Sequence, residues 1–183
     1  MSRTFILILV LIVSVAGLLA LSLNLTPKET PTPVPVSVAQ TTLSLTTPSA
    51  SGSAFVSNVV IDTRGNKATA VQLELSYNPQ DITSVDVRPG TFFKTPDELL
   101  KKIDTANGRI SYALGVGLGQ KGVSGQGVIA TLSFRKLRTA GITSIDFAAK
   151  SLVSAEGIAQ SVLKSTLGTK FDLSTAYSSP SAR

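Results

Sequence analysis

Apolar and polar residues alternate strictly over Val71–Tyr77 (VQLELSY). Val71, Leu73, Leu75 and Tyr77 fall on one side, and Gln72, Glu74 and Ser76 on the other. Successive side chains of an extended chain point to opposite sides, so period two predicts a strand with one buried face. The period recurs in Gly108–Leu114 (GRISYAL), where Ile110, Tyr112 and Leu114 oppose Arg109, Ser111 and Ala113. It recurs again in Val128–Arg135 (VIATLSFR), where Val128, Ala130, Leu132 and Phe134 oppose Ile129, Thr131, Ser133 and Arg135. Thr143–Phe147 (TSIDF) sets Ile145 and Phe147 against Ser144 and Asp146, and shorter candidates lie at 42–45, 54–62, 82–87 and 161–167. Turn residues punctuate them: TRGN at 63–66, YNPQ at 77–80 and NG at 107–108. Many short strands separated by turns predict an all-β antiparallel sandwich or jelly roll. One segment departs from this pattern. In TPDELLKK, Thr95–Lys102, Thr95 suits an N-cap, Pro96 the first helical position, Glu98 the capping box and Lys101–Lys102 the negative end of the helix dipole. It predicts one short helix, as a crossover between strands.

Outside this region the pattern changes. Residues 4–25 (TFILILVLIVSVAGLLALSLNL) carry no charge, and none occurs between Arg3 and Lys28. The apolar run from Phe5 to Leu23 matches a span of ~20 residues better than a signal's apolar core of ~7–15. Residues 1–25 therefore read as an N-terminal transmembrane helix or signal segment, with Arg3 placing the N-terminus in the cytoplasm. The product is expected on the extracellular face of the membrane, or secreted if the segment is cleaved. Residues 26–39 are rich in Pro and Thr and read as a semi-rigid linker. The folded domain is expected over 40–173, followed by a polar tail at 174–183.

Composition narrows the chemistry. The 183 residues contain no Cys, His or Trp. Without Cys or His there is no thiolate nucleophile, no Ser-His-Asp triad and no usual zinc ligand. The net charge of +6 is scattered, and the aromatic residues fall at core positions, so no nucleic-acid partner is expected. Residues 117–122, GLGQKG, have G-x-G-x-x-G spacing, but a strand follows where a nucleotide-binding turn needs a helix. Gly115–Gly127 instead reads as a mobile loop joining two antiparallel strands, and no nucleotide, metal or other cofactor is expected. Glu74, Asp86, Asp146 and Glu156 form no marked catalytic pair.

The order of three segments resembles the cohesin module: VQLELSYNPQDITSVDVRPGTFF (71–93), GVIATLSFRKL (127–137) and ITSIDFAAKSLVSAEGIAQSVL (142–163). The resemblance spans about Thr42 to Leu167. It implies a jelly roll of about nine strands and a non-catalytic function: binding a dockerin, a small calcium-loaded helical module, across one flat sheet face. The positions implied for that face are Gln72, Glu74, Arg109, Ser111, Ala113, Thr131, Ser133, Ala159 and Gln160. A polysaccharide-binding module of similar architecture is the alternative. It lacks a Trp platform, and Tyr77 and Tyr112 lie on apolar stripes.

Overall fold

The computed structural model describes residues 39–51 and 54–174. The predicted apolar segment 1–25, nearly all of the linker and all but the first residue of the tail lie outside the described residues. Twelve strands follow one another: β1 (Thr41–Leu45), β2 (Ser49–Ser51), β3 (Ala54–Asp62), β4 (Ala68–Tyr77), β5 (Ile82–Pro89) and β6 (Pro96–Asp104), then β7 (Arg109–Val116), β8 (Gln126–Lys136), β9 (Ile142–Phe147), β10 (Leu152–Ala155), β11 (Leu163–Leu167) and β12 (Thr169–Asp172). They form two sheets. Sheet A has the order β11-β1-β3-β8-β5 with β2 on β3, and sheet B the order β12-β9-β4-β7-β6 with β10 on β4. The unit bounded by Ser37 and Arg183 holds all twelve of these strands and the core they form.

The alternating stripes explain the two layers. Val71, Leu73, Leu75 and Tyr77 of β4 and Ile110, Tyr112 and Leu114 of β7 are all buried. They share one cluster with Val59 and Ile61 of β3 and with Leu132 and Phe134 of β8. Burying each such side chain contributes about 1.5–3 kcal/mol, which is why a sheet with one apolar face seeks a second sheet. Phe134 packs against Phe55 and Phe171, with ring centroids 6.0 and 5.6 Å away. Lys136 lies 4.6 Å over the Phe55 ring and donates a 2.6 Å hydrogen bond to the Leu173 carbonyl. Leu173, just past β12, is thereby held to the C-terminal end of sheet A's long strand β8.

Several expectations need correction. Residues 95–102 are no helix: β6 runs from Pro96 to Asp104 and pairs with β7 from Pro96↔Val116 to Asp104↔Arg109. A helix this short is marginal by itself, so a full ladder beside β7 outweighs its capping signals. Among the described residues there is no α-helix. The sheets are antiparallel except where β1 pairs with β11 in parallel. Twelve strands occur where about nine were implied, because the short β2 adds to β3 and the chain breaks at two further places. β9 and β10 cover opposite ends of β4, and the chain passes at Gly168 from β11 in sheet A to β12 in sheet B. In β8 the predicted phase fails at one end. A bulge leaves Ile129 unpaired, with Val59 opposite Ala130 and Val60 opposite Val128, so Ile129 and Ala130 are both buried.

The glycine-rich segment is also different from expectation. β7 and β8 do not pair; the segment carries the chain from sheet B to sheet A. Val123 exchanges two backbone hydrogen bonds with Ala68, at 2.8 and 2.9 Å. Gly125 donates to the Thr63 hydroxyl at 2.8 Å, and Thr63 N–H donates to the Gly125 carbonyl at 3.0 Å. These bonds pin the segment to the β3–β4 turn.

Two substitutions test this account. Phe134→Ala is expected to lower unfolding stability by about 3–5 kcal/mol in denaturant titration, through lost burial and the cavity left behind. Gly108, at the β6–β7 turn, has φ +60°, and a Cβ there would collide with the Tyr77 carbonyl oxygen. Gly108→Ala should therefore destabilise by more than about 1 kcal/mol, whereas an ordinary Gly→Ala change at a compatible site stabilises.

Candidate binding face

Sheet B presents an open outer face built from β10, β4, β7 and β6. On β4 the outward residues are Ala70, Gln72, Glu74 and Ser76, because their neighbours Val71, Leu73, Leu75 and Tyr77 point into the core. The ladder sets Ala70 beside Gly115, Gln72 beside Ala113, Glu74 beside Ser111 and Ser76 beside Arg109. β6 adds Leu100 beside Ala113, Lys102 beside Ser111 and Asp104 beside Arg109. β10 places Leu152 beside Gln72 and Ser154 beside Ala70.

A hydrogen-bonded group occupies the centre. The Glu74 carboxylate accepts from Gln72 Nε2 at 2.9 Å and from Ser111 Oγ at 2.6 Å. The backbone of Glu74 lies in the gap between the stretches of β4 paired by β9 and by β10. Ser151 Oγ and Ala148 N–H fill that gap. Glu74 N–H donates to Ser151 Oγ at 3.0 Å, Ser151 Oγ donates to the Glu74 carbonyl at 3.2 Å, and Ala148 N–H donates to the same carbonyl at 2.7 Å. The carboxylate is thus held in place from both its side chain and its backbone. Toward Ala70, Ala113 and Gly115 the floor is made of small residues; toward Arg109, Lys102 and Asp104 it is charged. Asp104 accepts from the Asn107 side chain at 2.8 Å and from its N–H at 3.1 Å, which lowers its carboxyl below the usual range.

The nine positions that the resemblance implies divide. Gln72, Glu74, Arg109 and Ser111 lie together on this face, with Ala113 among them. Thr131 and Ser133 do not: they are on β8, in sheet A, and project from the opposite side of the sandwich. There Thr131 donates a 3.0 Å hydrogen bond to Asn58 Oδ1. Their alternation was read correctly, but alternation is silent about which sheet a strand joins. Ala159 and Gln160 are exposed in the connection between β10 and β11, off the sheet. Leu100, Lys102 and Asp104 were missed because β6 was read as a helix. The Asn-Gly pair at 107–108 was the available signal, since such a turn commonly has a strand on either side.

The edges of the two sheets are tied beside this face. Lys101 Nζ of β6 lies 2.8 Å from Asp86 Oδ1 of β5, and Arg88 Nε lies 3.0 Å from Asp86 Oδ2. The bond from Lys101 above all, then that from Arg88, holds the Asp86 carboxyl below the usual carboxylate range against the opposing effect of burial. Tyr112 donates to Glu98 Oε2 at 3.0 Å, and burial followed by that carboxylate pushes the phenol well above its ordinary range.

Among the described residues, no group of three His, Cys, Asp or Glu converges to hold a metal ion. The hollow of about 390 Å³ near Phe147, Ser161 and Lys164 contains no carboxylate. Tyr77 and Tyr112 are buried and offer no stacking platform, and Tyr177 lies outside the described residues. A polar-centred outer sheet face on an all-β sandwich, with no metal cluster among the described residues, is the architecture to be classed. The family follows from comparison. The cohesin domain family model matches residues 39–169, and the chain belongs to that family.

Solved structures agree in fold. A cohesin of Acetivibrio cellulolyticus, in complex with a dockerin, superposes with a TM-score of 0.60 at 15% identity, covering 73% of this chain and 98% of its own. CaCohA2 of Clostridium acetobutylicum gives 0.56 at 20% identity, covering 73% and 93%. A non-cellulosomal cohesin from the archaeon Archaeoglobus fulgidus gives 0.52 at 21%, covering 73% and 91%. Among curated proteins none matches the chain.

The Asp86 tie gives a pH prediction. A carboxyl with a lowered folded pKa stabilises above its unfolded value, near 3.9, and that contribution is lost as pH falls through the folded value. The melting-temperature gap between the native protein and Asp86→Asn should be widest near neutrality and close below about pH 4. A gap that persists unchanged in acid would exclude the ion pair as its source.

Proposed function

We propose that this chain is a non-catalytic docking module that binds a dockerin-like protein module on the outer face of sheet B. The observation that carries this reading is the face itself: an open sheet surface with a small-residue floor at Ala70, Ala113 and Gly115 beside the fixed group Gln72–Glu74–Ser111. Small residues let a partner's backbone approach closely. A preformed carboxylate offers charge-assisted acceptors without loss of side-chain freedom on binding. Membership of the cohesin family and the dockerin held by the Acetivibrio cellulolyticus relative support the partner class. The apolar run at 5–23 and the Pro/Thr-rich linker support a module tethered to the membrane and displayed outside the cell.

The test is calorimetric titration of residues 37–183 with a panel of calcium-loaded dockerins, including those of the source organism. Saturable binding is expected with at least one of them, and a calcium chelator should abolish it. Ala113→Arg should weaken that binding about tenfold or more, because it raises a long charged side chain from the centre of the face. Thr131→Arg, on the opposite sheet, should leave it unchanged. Loss with Thr131→Arg alone would move the site to sheet A, and a panel with no binder would remove the dockerin reading.

A further inference from the structure

β6 is an edge strand of sheet B, and among the described residues its outer edge pairs with no other strand. Leu99 is 65% exposed and Leu100 is 42% exposed, although both sit in the middle of the strand. Exposed apolar edge strands are templates for pairing, and edge charges usually prevent it. Here the charges have a particular order. Residues 96–103 read Pro-Asp-Glu-Leu-Leu-Lys-Lys-Ile. Antiparallel pairing of this segment with itself, about a point between Leu99 and Leu100, sets Asp97 opposite Lys102 and Glu98 opposite Lys101. It also sets Leu99 opposite Leu100. Every charge meets its opposite, and the two apolar residues meet at the centre.

We propose that β6 pairs antiparallel with β6 of a second copy of this chain, joining two sheets B edge to edge about a two-fold axis between Leu99 and Leu100. The backbone supports this register. In an unbroken strand Asp97 and Lys102, five residues apart, would face opposite sides. The ladder to β7 is shifted between Glu98 and Leu100, leaving Leu99 as an extra residue. That shift puts Asp97 (opposite Gly115), Leu100 (opposite Ala113) and Lys102 (opposite Ser111) on the outer face. Glu98 (opposite Leu114) and Lys101 (opposite Tyr112) share the inner face. The two charged pairs that meet across the two-fold axis, Asp97 with Lys102 and Glu98 with Lys101, therefore each lie on one face, as cross-strand pairs require.

On the inner side Glu98 and Lys101 are already oriented, by Tyr112 and Asp86 respectively. On the outer side neither Asp97 nor Lys102 belongs to any of the ion pairs among the described residues. The contact is isologous, so it closes at a dimer and does not propagate. The outer faces of the two sheets B become neighbours in one extended surface. The pairing stands on β6 alone and does not depend on the docking partner.

Sedimentation velocity on residues 37–183, from low micromolar to about 1 mM, tests this directly. The native protein is expected to form a dimer that weakens with added salt. Asp97→Lys and Lys102→Asp each place two like-charged pairs across the axis, and each should raise the dimer dissociation constant about tenfold or more. The double variant D97K/K102D restores opposite charges and should dimerise like the native protein. An equimolar mixture of the two single variants should form a heterodimer, because each supplies the charges the other lacks. Both positions are exposed, so circular dichroism and melting curves should match those of the native protein. A native protein that stays monomeric over the whole range overturns the proposal. So does a dimer indifferent to the single reversals, or one that neither the double variant nor the mixture restores.

Discussion

The buried apolar layer between the two sheets is the constraint from which the rest of the domain follows. Leu73 and Tyr112 from sheet B and Val59, Ile61 and Leu132 from sheet A have essentially no exposed surface. Interiors packed this tightly tolerate little displacement, so each strand's position and phase are decided by what it contributes to that layer. Once the inward stripes are committed, the alternate residues can only face outward. The outer faces are what remains, and their polar content is free to serve contact with another surface.

The inner layer also explains the irregularities. A bulge at Ile129 buries two consecutive residues of β8, which a regular strand cannot do. Positive φ at Gly108 brings the β6–β7 turn against the Tyr77 carbonyl, at the point where the chain leaves β4 for sheet A. The break between β9 and β10 leaves the backbone of Glu74 without a strand partner on that side, and the Ser151 hydroxyl supplies the missing donor and acceptor. That repair sits under the central carboxylate of sheet B's outer face, so a packing solution and a fixed surface charge occupy one residue.

How much of this was legible varied with the kind of signal. Strands β3, β4, β7, β8 and β9 were evident from alternation or apolar runs, because a half-buried strand writes its period into local sequence. β6 was not, because Thr95, Pro96 and Glu98 satisfy the rules of a helix N-terminus as well as they suit a strand entry. The short β10 and β12 carried too few residues for a period to register. Of the candidate face, Gln72, Glu74, Arg109 and Ser111 were placed together correctly. Thr131 and Ser133 were assigned to the same face although their strand belongs to the other sheet. Family resemblance pointed to the fold that the family match and the solved structures then showed.

The sequence by itself determined that the domain is a β-sandwich, which side chains of its regular strands β4 and β7 enter the core, and that no histidine or cysteine is present for catalysis. These are properties of composition and of period along a single segment. Only the tertiary structure decided which strands are neighbours, and so that Glu74 is held by Ser111 from thirty-seven positions away and that Lys101 reaches Asp86 across the gap between sheets. Pairing is a choice among distant partners that bury similar area. It is settled by the mutual fit of all the strands at once, and no single segment records it.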